Sequence, residues 1–265
     1  MKFACKNPSV KPFVVFFVAT RPFCMQFERM TAQVSPIDPP RGTRSAFVTE
    51  CVRDMIIIGE LKPGSRINER VLVERLNISR TPLREAFKIL EREGLISIRP
   101  NVGATVVEFT MDDVEASIDV LIGLESIGAE RAAEQASDAE IAEIADLHAR
   151  MVAAHEAGDL MPYFHLNQEI HQKIIDAAQN PALSRVYAAE SARIRRFRFA
   201  GNRDGSRWSR AVHEHTQILE ALRRREGPLL REILRAHHLA GWRETRRALE
   251  AEAAEASGTD PRAEP

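Results

Sequence analysis

Asn167 and His171 stand four residues apart in FHLNQEIHQKII, so on a helix both side chains aim at one spot. Three further imidazoles come from later stretches: His215 in EHTQILEAL, and the adjacent pair His237 and His238 in LLREILRAHHL. Imidazoles from three helices, with an oxygen donor one turn away, suit a bound divalent metal. Spacing alone makes this a weak signal, because a lone histidine on a helix is more often a packed or surface residue. A second constellation lies upstream in ISRTPLREAFKILEREGL, Ile78 to Leu95. Arg80, Arg84 and Lys88 recur every four residues with Thr81 beside them, opposite a stripe of Leu83, Ala86, Phe87 and Leu90 at i, i+3, i+4, i+7. One face of such a helix packs, and the other is solvated or meets an acidic partner.

The elements around the basic stripe decide between those two. Ser79 is a good N-cap, Pro82 is tolerated in a first turn, and Gly94 is a stop. A helical pattern over 45–59 precedes it, with Phe47, Val48, Cys51, Val52, Met55 and Ile56 on one face and Lys62-Pro63-Gly64 as the turn. A short helix over 69–76 follows, and Asn77-Ile78-Ser79 turns the chain into the basic helix. After Gly94 the period changes: Leu95 to Ile98 and Ala104 to Val107 read as two strands around a hairpin. Three helices and a β-hairpin are the outline of a winged helix-turn-helix. The basic helix is then the major-groove element, with Arg80, Thr81 and Arg84 reading bases while Lys88 and Arg70 meet phosphate. A merely solvated face leaves the turn, the helix order and the wing unexplained.

The histidines belong to a different unit. From Met111 every pattern is helical, over 111–135, 138–157, 160–178, 181–200, 207–224 and 228–250, with short connections that suggest an antiparallel bundle. The expected fold is mainly α: a disordered extension over 1–42, with Met30 as the alternative start, a winged helix-turn-helix over 43–108, an all-helical bundle over 109–250, and a disordered tail over 251–265.

Charge separates the same two units. The chain of 265 residues has net charge −1, yet residues 41–103 hold 12 Lys/Arg against 8 Asp/Glu, and the part after 103 is acidic. A basic front and an acidic back suggest different partners. Cys5, Cys24 and Cys51 form no CxxC pair, which fits a reduced cytoplasmic compartment. The apolar run Phe13 to Ala19 is far shorter than the roughly 18 residues a membrane helix needs. Following Lys2, Lys6 and Lys11 it faintly imitates a signal peptide, but Arg21 and Pro22 break it early.

The segment LKPGSRINERVLVERLNISRTPLREAFKILEREGLISIRPNVGATV resembles the DNA-binding domain of GntR-family bacterial transcription regulators over about residues 45–107. The resemblance implies DNA contact by Arg70, Arg80, Thr81 and Arg84, and by the wing tip near Asn101 and Gly103. Pro82 stands where some members carry a hydroxyl contact. The three histidine motifs resemble the FadR-type C-terminal ligand-binding domain (FCD) over about residues 111–248. That likeness implies a metal, with zinc or nickel favoured, held by Asn167, His171, His215 and His237. His238 is the neighbouring alternative, about 100° round the helix, and only one of the two is expected to face inward.

Two departures qualify the likeness. The first ligand is Asn rather than Asp, which removes a charge. Leu121 stands where many members carry an Arg that pairs with a carboxylate ligand, so Arg195, Arg196 or Arg198 is left to take that part. The implied function is a dimeric regulator of a palindromic operator, more often a repressor, released by a small molecule such as an organic or sugar acid. One rival is a metal-dependent hydrolase using His171, His215 and His237, for which no HExxH-like base is present. The other is a constitutive DNA-binding protein whose bundle only dimerises.

Overall fold

The computed structural model describes residues 43–202 and 205–257; the expectations for residues 1–42 and for Met30 lie outside the described residues. Helix α1 (Thr43–Ile57) buries Val48, Val52, Met55 and Ile56 against Leu72 of α2 (Glu69–Leu76) and against Leu83, Phe87 and Leu90 of α3 (Arg80–Arg92). Asn68 caps α2 through hydrogen bonds from the Arg70 and Val71 amides. Ser79 begins α3 without a side-chain cap bond, unlike the expectation from its residue type. Gly94, at φ +72°, turns the chain from α3 into the wing.

The wing pairs β1 (Ile96–Arg99) with β2 (Gly103–Val106) in antiparallel register, Ile96 opposite Val106 and Arg99 opposite Gly103. Ile96, Ala104 and Val106 point into the head core. The segment before α2 runs along the free edge of β2: Ile67 N donates to Ala104 O at 2.8 Å and Val106 N to Ser65 O at 3.0 Å. The wing is thereby tied to the head along the free edge of β2.

Behind the head, α4 (Met111–Gln135) and α5 (Asp138–Glu156) each start with a reciprocal capping box, Thr110 with Asp113 and Ser137 with Glu140. Helix α6 (Leu160–Asp176) follows, then α7 (Pro181–Arg193), where Asn180 is the cap and Pro181 opens the first turn. The continuous helix expected over 181–200 is broken at Ile194 (φ −101°, ψ 8°), and α8 (Arg195–Ala200) resumes on a new axis. No proline or glycine marks the break. It sends Phe197 into the bundle core and Phe199 toward the head, an arrangement set by packing rather than local propensity.

Helix α9 (Gly205–Arg223) and α10 (Gly227–Ser257) complete a bundle of seven helices among the described residues, where six were expected. α10 also continues through 251–257, read from sequence as tail, because AEAAEA is made of strong helix formers. Backbone approaches closely where α8 ends: a Cβ on Gly201 would lie 3.0 Å from the Thr245 backbone nitrogen on α10. A third, small apolar cluster of Ile57, Phe164 and Phe199 joins head to bundle. No described helix is long and apolar enough to cross a membrane.

Candidate metal centre and nucleic-acid interface

Helix α6 places Asn167 and His171 one turn apart, α9 brings His215, and α10 brings His237 and His238; all five side chains are buried. Ring centroids of His171, His215 and His237 lie 4.8–5.1 Å from one another. Asn167 Nδ2 meets His215 Nε2 at 2.8 Å, while Gln168 donates to Asn167 Oδ1 at 3.1 Å. A half-turn of the Asn167 amide would present its oxygen to the imidazoles instead.

Two carboxylates orient the rings. His237 Nδ1 lies 2.7 Å from Glu214 Oε2, which also accepts from Arg207 at 2.9 Å. His171 Nδ1 lies 3.1 Å from Glu125 Oε1. His237 is thus hydrogen-bonded at Nδ1, which leaves its Nε2 for another partner. Both ring nitrogens of His171, and Nδ1 of His215, are buried with no hydrogen-bond partner. Burial pushes His171 down to about 4 and His237 to about 3, although Glu125 and Glu214 pull the other way. Burial, with His237 and His171 next, also holds His215 well below the imidazole range. Neutral imidazoles with orphaned nitrogens are what a transition-metal ion requires of its ligands.

His237 and His238 both turn inward, which corrects the expectation that only one of the pair can. His238 Nε2 lies 2.5 Å from Glu125 Oε2, and Tyr187 donates its hydroxyl to Glu125 Oε1 at 2.5 Å. Burial opposes the charge on Glu125, but His238 and His171 hold its carboxyl well below the usual range. Two groupings of ligand atoms result, His171-His215-His237 and Glu125-His171-His238, sharing His171. In the second the carboxylate is already bonded to His238 and Tyr187, so the first is the better seat for an ion.

A cavity of about 40 Å³ opens beside the cluster. Asn167, His237, His238, Arg198, Asn202 and Arg207 give it its polar lining, and Phe197 and Trp242 supply apolar wall. On a scale where one water takes roughly 10–15 Å³, this holds a few atoms rather than an acyl chain. Of the three arginines expected to bind an effector, only Arg198 reaches it, with its Nη1 buried and without a hydrogen-bond partner. Arg195 is turned to the head instead, where burial and then Arg53 lower its pKa. Arg196 sits against Gly59. The six-residue helix has two sides, and residue type does not tell them apart.

Glu125, Glu214 and Arg207 went unrecognised in the sequence as parts of this site. Glu214 adjoins His215, and Glu125 lies one turn from Leu121, which is fully buried. Each is one of many charged residues, and only the packed bundle distinguishes it.

On the head, Arg70, Arg80, Thr81, Arg84 and Lys88 are all exposed, and Arg70 and Arg80 line one hollow with Gly103 of the wing. Arg84 Nε lies 3.7 Å from Glu69, and Arg70 is 3.2 Å from Glu74; these are loose surface pairs that leave the guanidinium groups available. Asn101 at the hairpin tip adopts φ +62° and is exposed, and Gly103 adopts φ +90°. The stripe therefore stands beside a wing, as groove-reading heads require.

Residues 44–106 match the bacterial regulatory proteins of the gntR family, and residues 116–240 match the FCD domain. The chain is 32% identical over 177 residues to the Nta operon transcriptional regulator of Aminobacter aminovorans, covering 65% of this chain and 81% of that one. It is 28% identical over 178 residues to the HTH-type transcriptional repressor RspR of Escherichia coli K12, covering 67% and 78%. Among solved structures, E. coli McbR/YncC superposes with TM-score 0.67 at 21% identity, over 77% of this chain and 97% of that one, a likeness of fold. These relatives are transcription regulators, not enzymes.

Proposed function

Because the chain belongs to the GntR family of bacterial transcription regulators and carries an FCD domain behind its winged helix, we propose that it is a cytoplasmic, dimeric repressor released by a small organic acid; a cavity of a few atoms favours this over the larger sugar acids. The observation that carries this reading is the juxtaposition of three buried, neutral imidazoles with a cavity that also receives Arg198 and Arg207. His171, His215, His237 and Asn167 hold a divalent ion, zinc or nickel by ligand type. When bound, that ion supplies a Lewis-acidic position for an effector's oxygen atoms. Arg198, in the cavity lining, meets the effector's negative charge, the part that Leu121 cannot play. Trp242 and Phe197 exclude water around it.

The DNA-facing roles follow from placement. Arg80, Thr81 and Arg84 read base edges; Arg70, Lys88, Asn101 and Gly103 lie at the backbone. A twofold dimer of such heads matches a palindromic operator. Coupling runs through α8, since Phe197 and Arg198 wall the cavity while Arg195, Arg196 and Phe199 abut the head. An effector shifts operator binding only so far as it prefers one of two head arrangements.

The test is a fluorescence-anisotropy titration of the protein onto DNA from its own promoter, with zinc, with a panel of small carboxylates, and with both. Release by at least one acid, dependent on metal and absent in Arg198→Ala, is expected. Binding that no acid alters, in protein shown by elemental analysis to hold metal, would leave only the constitutive reading.

A further inference from the structure

Beside α3 the head has a concavity that the basic stripe does not account for, lined by Arg66, Asn68, Glu69, Arg70, Arg80 and Gly103. Arg66 is the residue of this group without an assigned part. It lies on the segment that runs along β2, bridged antiparallel to Thr105, so its backbone is fixed to the wing. Its side chain crosses over the first residue of β2: a Cβ on Gly103 would come 3.5 Å from Arg66 Nε and 3.6 Å from Nη2. Gly103 adopts φ +90°, a conformation that favours glycine, and the guanidinium lies over it within van der Waals reach.

The ion pairs around the concavity are unequal. Arg70 is drawn to Glu74, and Glu69, the acid in the lining, leans on Arg84. Among the described residues no carboxylate pairs with Arg66, which is exposed. Three guanidinium groups thus surround one hollow between the start of the reading helix and the wing, and the best anchored of them carries an uncompensated charge.

We propose that this hollow seats one backbone phosphate of the DNA duplex, with Arg66 as its principal ligand and Arg70 closing it from the helix side, next to the base-reading Arg80. The fork of a guanidinium matches a phosphate's two free oxygens. A phosphate held there lies between groove-reading helix and wing, so it sets how deeply α3 enters the groove and carries no sequence preference. The assignment rests on the reading of the head as the DNA-binding unit.

The test uses the full-length protein and two fluorescent duplexes, one from its own promoter and one of mixed unrelated sequence, titrated across a salt series. Arg66→Ala is expected to weaken binding to both alike and to reduce the slope of log K against log salt by about one. Arg66→Lys keeps a charge and should retain the slope; Arg66→Gln, which keeps most of the length, should behave like Arg66→Ala. Thermal melts matching wild type show that the loss is not one of folding. An unchanged slope in Arg66→Ala and Arg66→Gln overturns the seat, and Arg84→Ala still weakening promoter binding then shows that the head reading stands. A wild-type protein that binds neither duplex overturns both.

Discussion

His165 Nε2 lies 3.1 Å from Asp54 Oδ1, joining α6 of the bundle to α1 of the head. His165 stands two residues before Asn167, so the helix that carries the candidate metal ligands also carries a contact to the DNA-binding unit. Phe164, one residue earlier, packs on Ile57 and Phe199 at the same place. This joint should be a distinct unit of protection. In His165→Ala, hydrogen exchange is expected to speed up around residues 54–58 and 196–200, while amides in the middle of α4 stay as slow as in wild type. Uniform acceleration, or none, would deny the joint that role.

Metal affinity should depend on residues that never touch the ion. Glu125 and Glu214 hold the Nδ1 sides of His171 and His237, and loss of such partners typically costs about 10–100-fold in affinity. Glu214→Gln is expected to weaken zinc binding by that order in a competition titration with a chromophoric chelator. His171→Ala should lose most of the metal, and Asn167→Asp should tighten binding by restoring a charge. Finding no metal at any loading in wild type sinks the centre.

His238→Ala is not expected to be silent, contrary to the reading of His238 as the outward member of its pair. Removing the ring leaves Glu125 buried with one partner fewer, at a cost of about 1–3 kcal/mol. The melting temperature should fall while zinc stoichiometry is kept. Loss of the metal with unchanged stability would instead make His238 the ligand.

Acid should destabilise the metal-free protein. His171 and His237 titrate at about 4 and about 3 in the folded state, against an ordinary 6.5. Between those values the unfolded chain binds protons that the folded one does not. The contribution is therefore complete above 6.5 and is lost as pH falls toward 3. Melts of chelator-treated protein should show a steady decline over that window, reduced in His237→Gln; a flat profile would mean these imidazoles are not buried neutral.

Arg84→Ala should lower affinity for the operator by about 1–3 kcal/mol if it meets a base. Its contact to Glu69 is long and exposed, so little folding stability is at stake. Promoter binding equal to wild type at matched salt would remove Arg84 from the reading set.

The parts most legible in the sequence were those with a local cause. The period of Leu83, Ala86, Phe87 and Leu90 and the stop at Gly94 place the reading helix almost residue for residue, although the cap expected at Ser79 makes no side-chain bond. The i, i+4 relation of Asn167 and His171 placed them together, and the family likeness added His215 and His237. What escaped has non-local causes. Ile194 breaks a helix without a breaker, because Phe197 and Phe199 must enter different cores. His238 is buried because α10 is flanked on both sides, so two neighbouring positions 100° apart both face protein. Arg195 and Arg198 are alike in type, and only the packing of α8 sends one to the head and the other to the cavity.

The cluster of Ile57, Phe164 and Phe199 is small, and its size sets how the two units communicate. Burying an apolar side chain contributes roughly 1.5–3 kcal/mol, so three of them contribute roughly 5–9 kcal/mol, and ordering them brings that down to a few. Coupling free energies between sites typically run about 1–3 kcal/mol. A joint built from dozens of side chains would be deaf to a ligand of a few atoms; one built from none would leave the heads swinging at random. On the proposed function, three side chains place the populations of docked and undocked heads within reach of a single bound acid, so the smallest apolar cluster among the described residues is the one on which a response at the operator would turn.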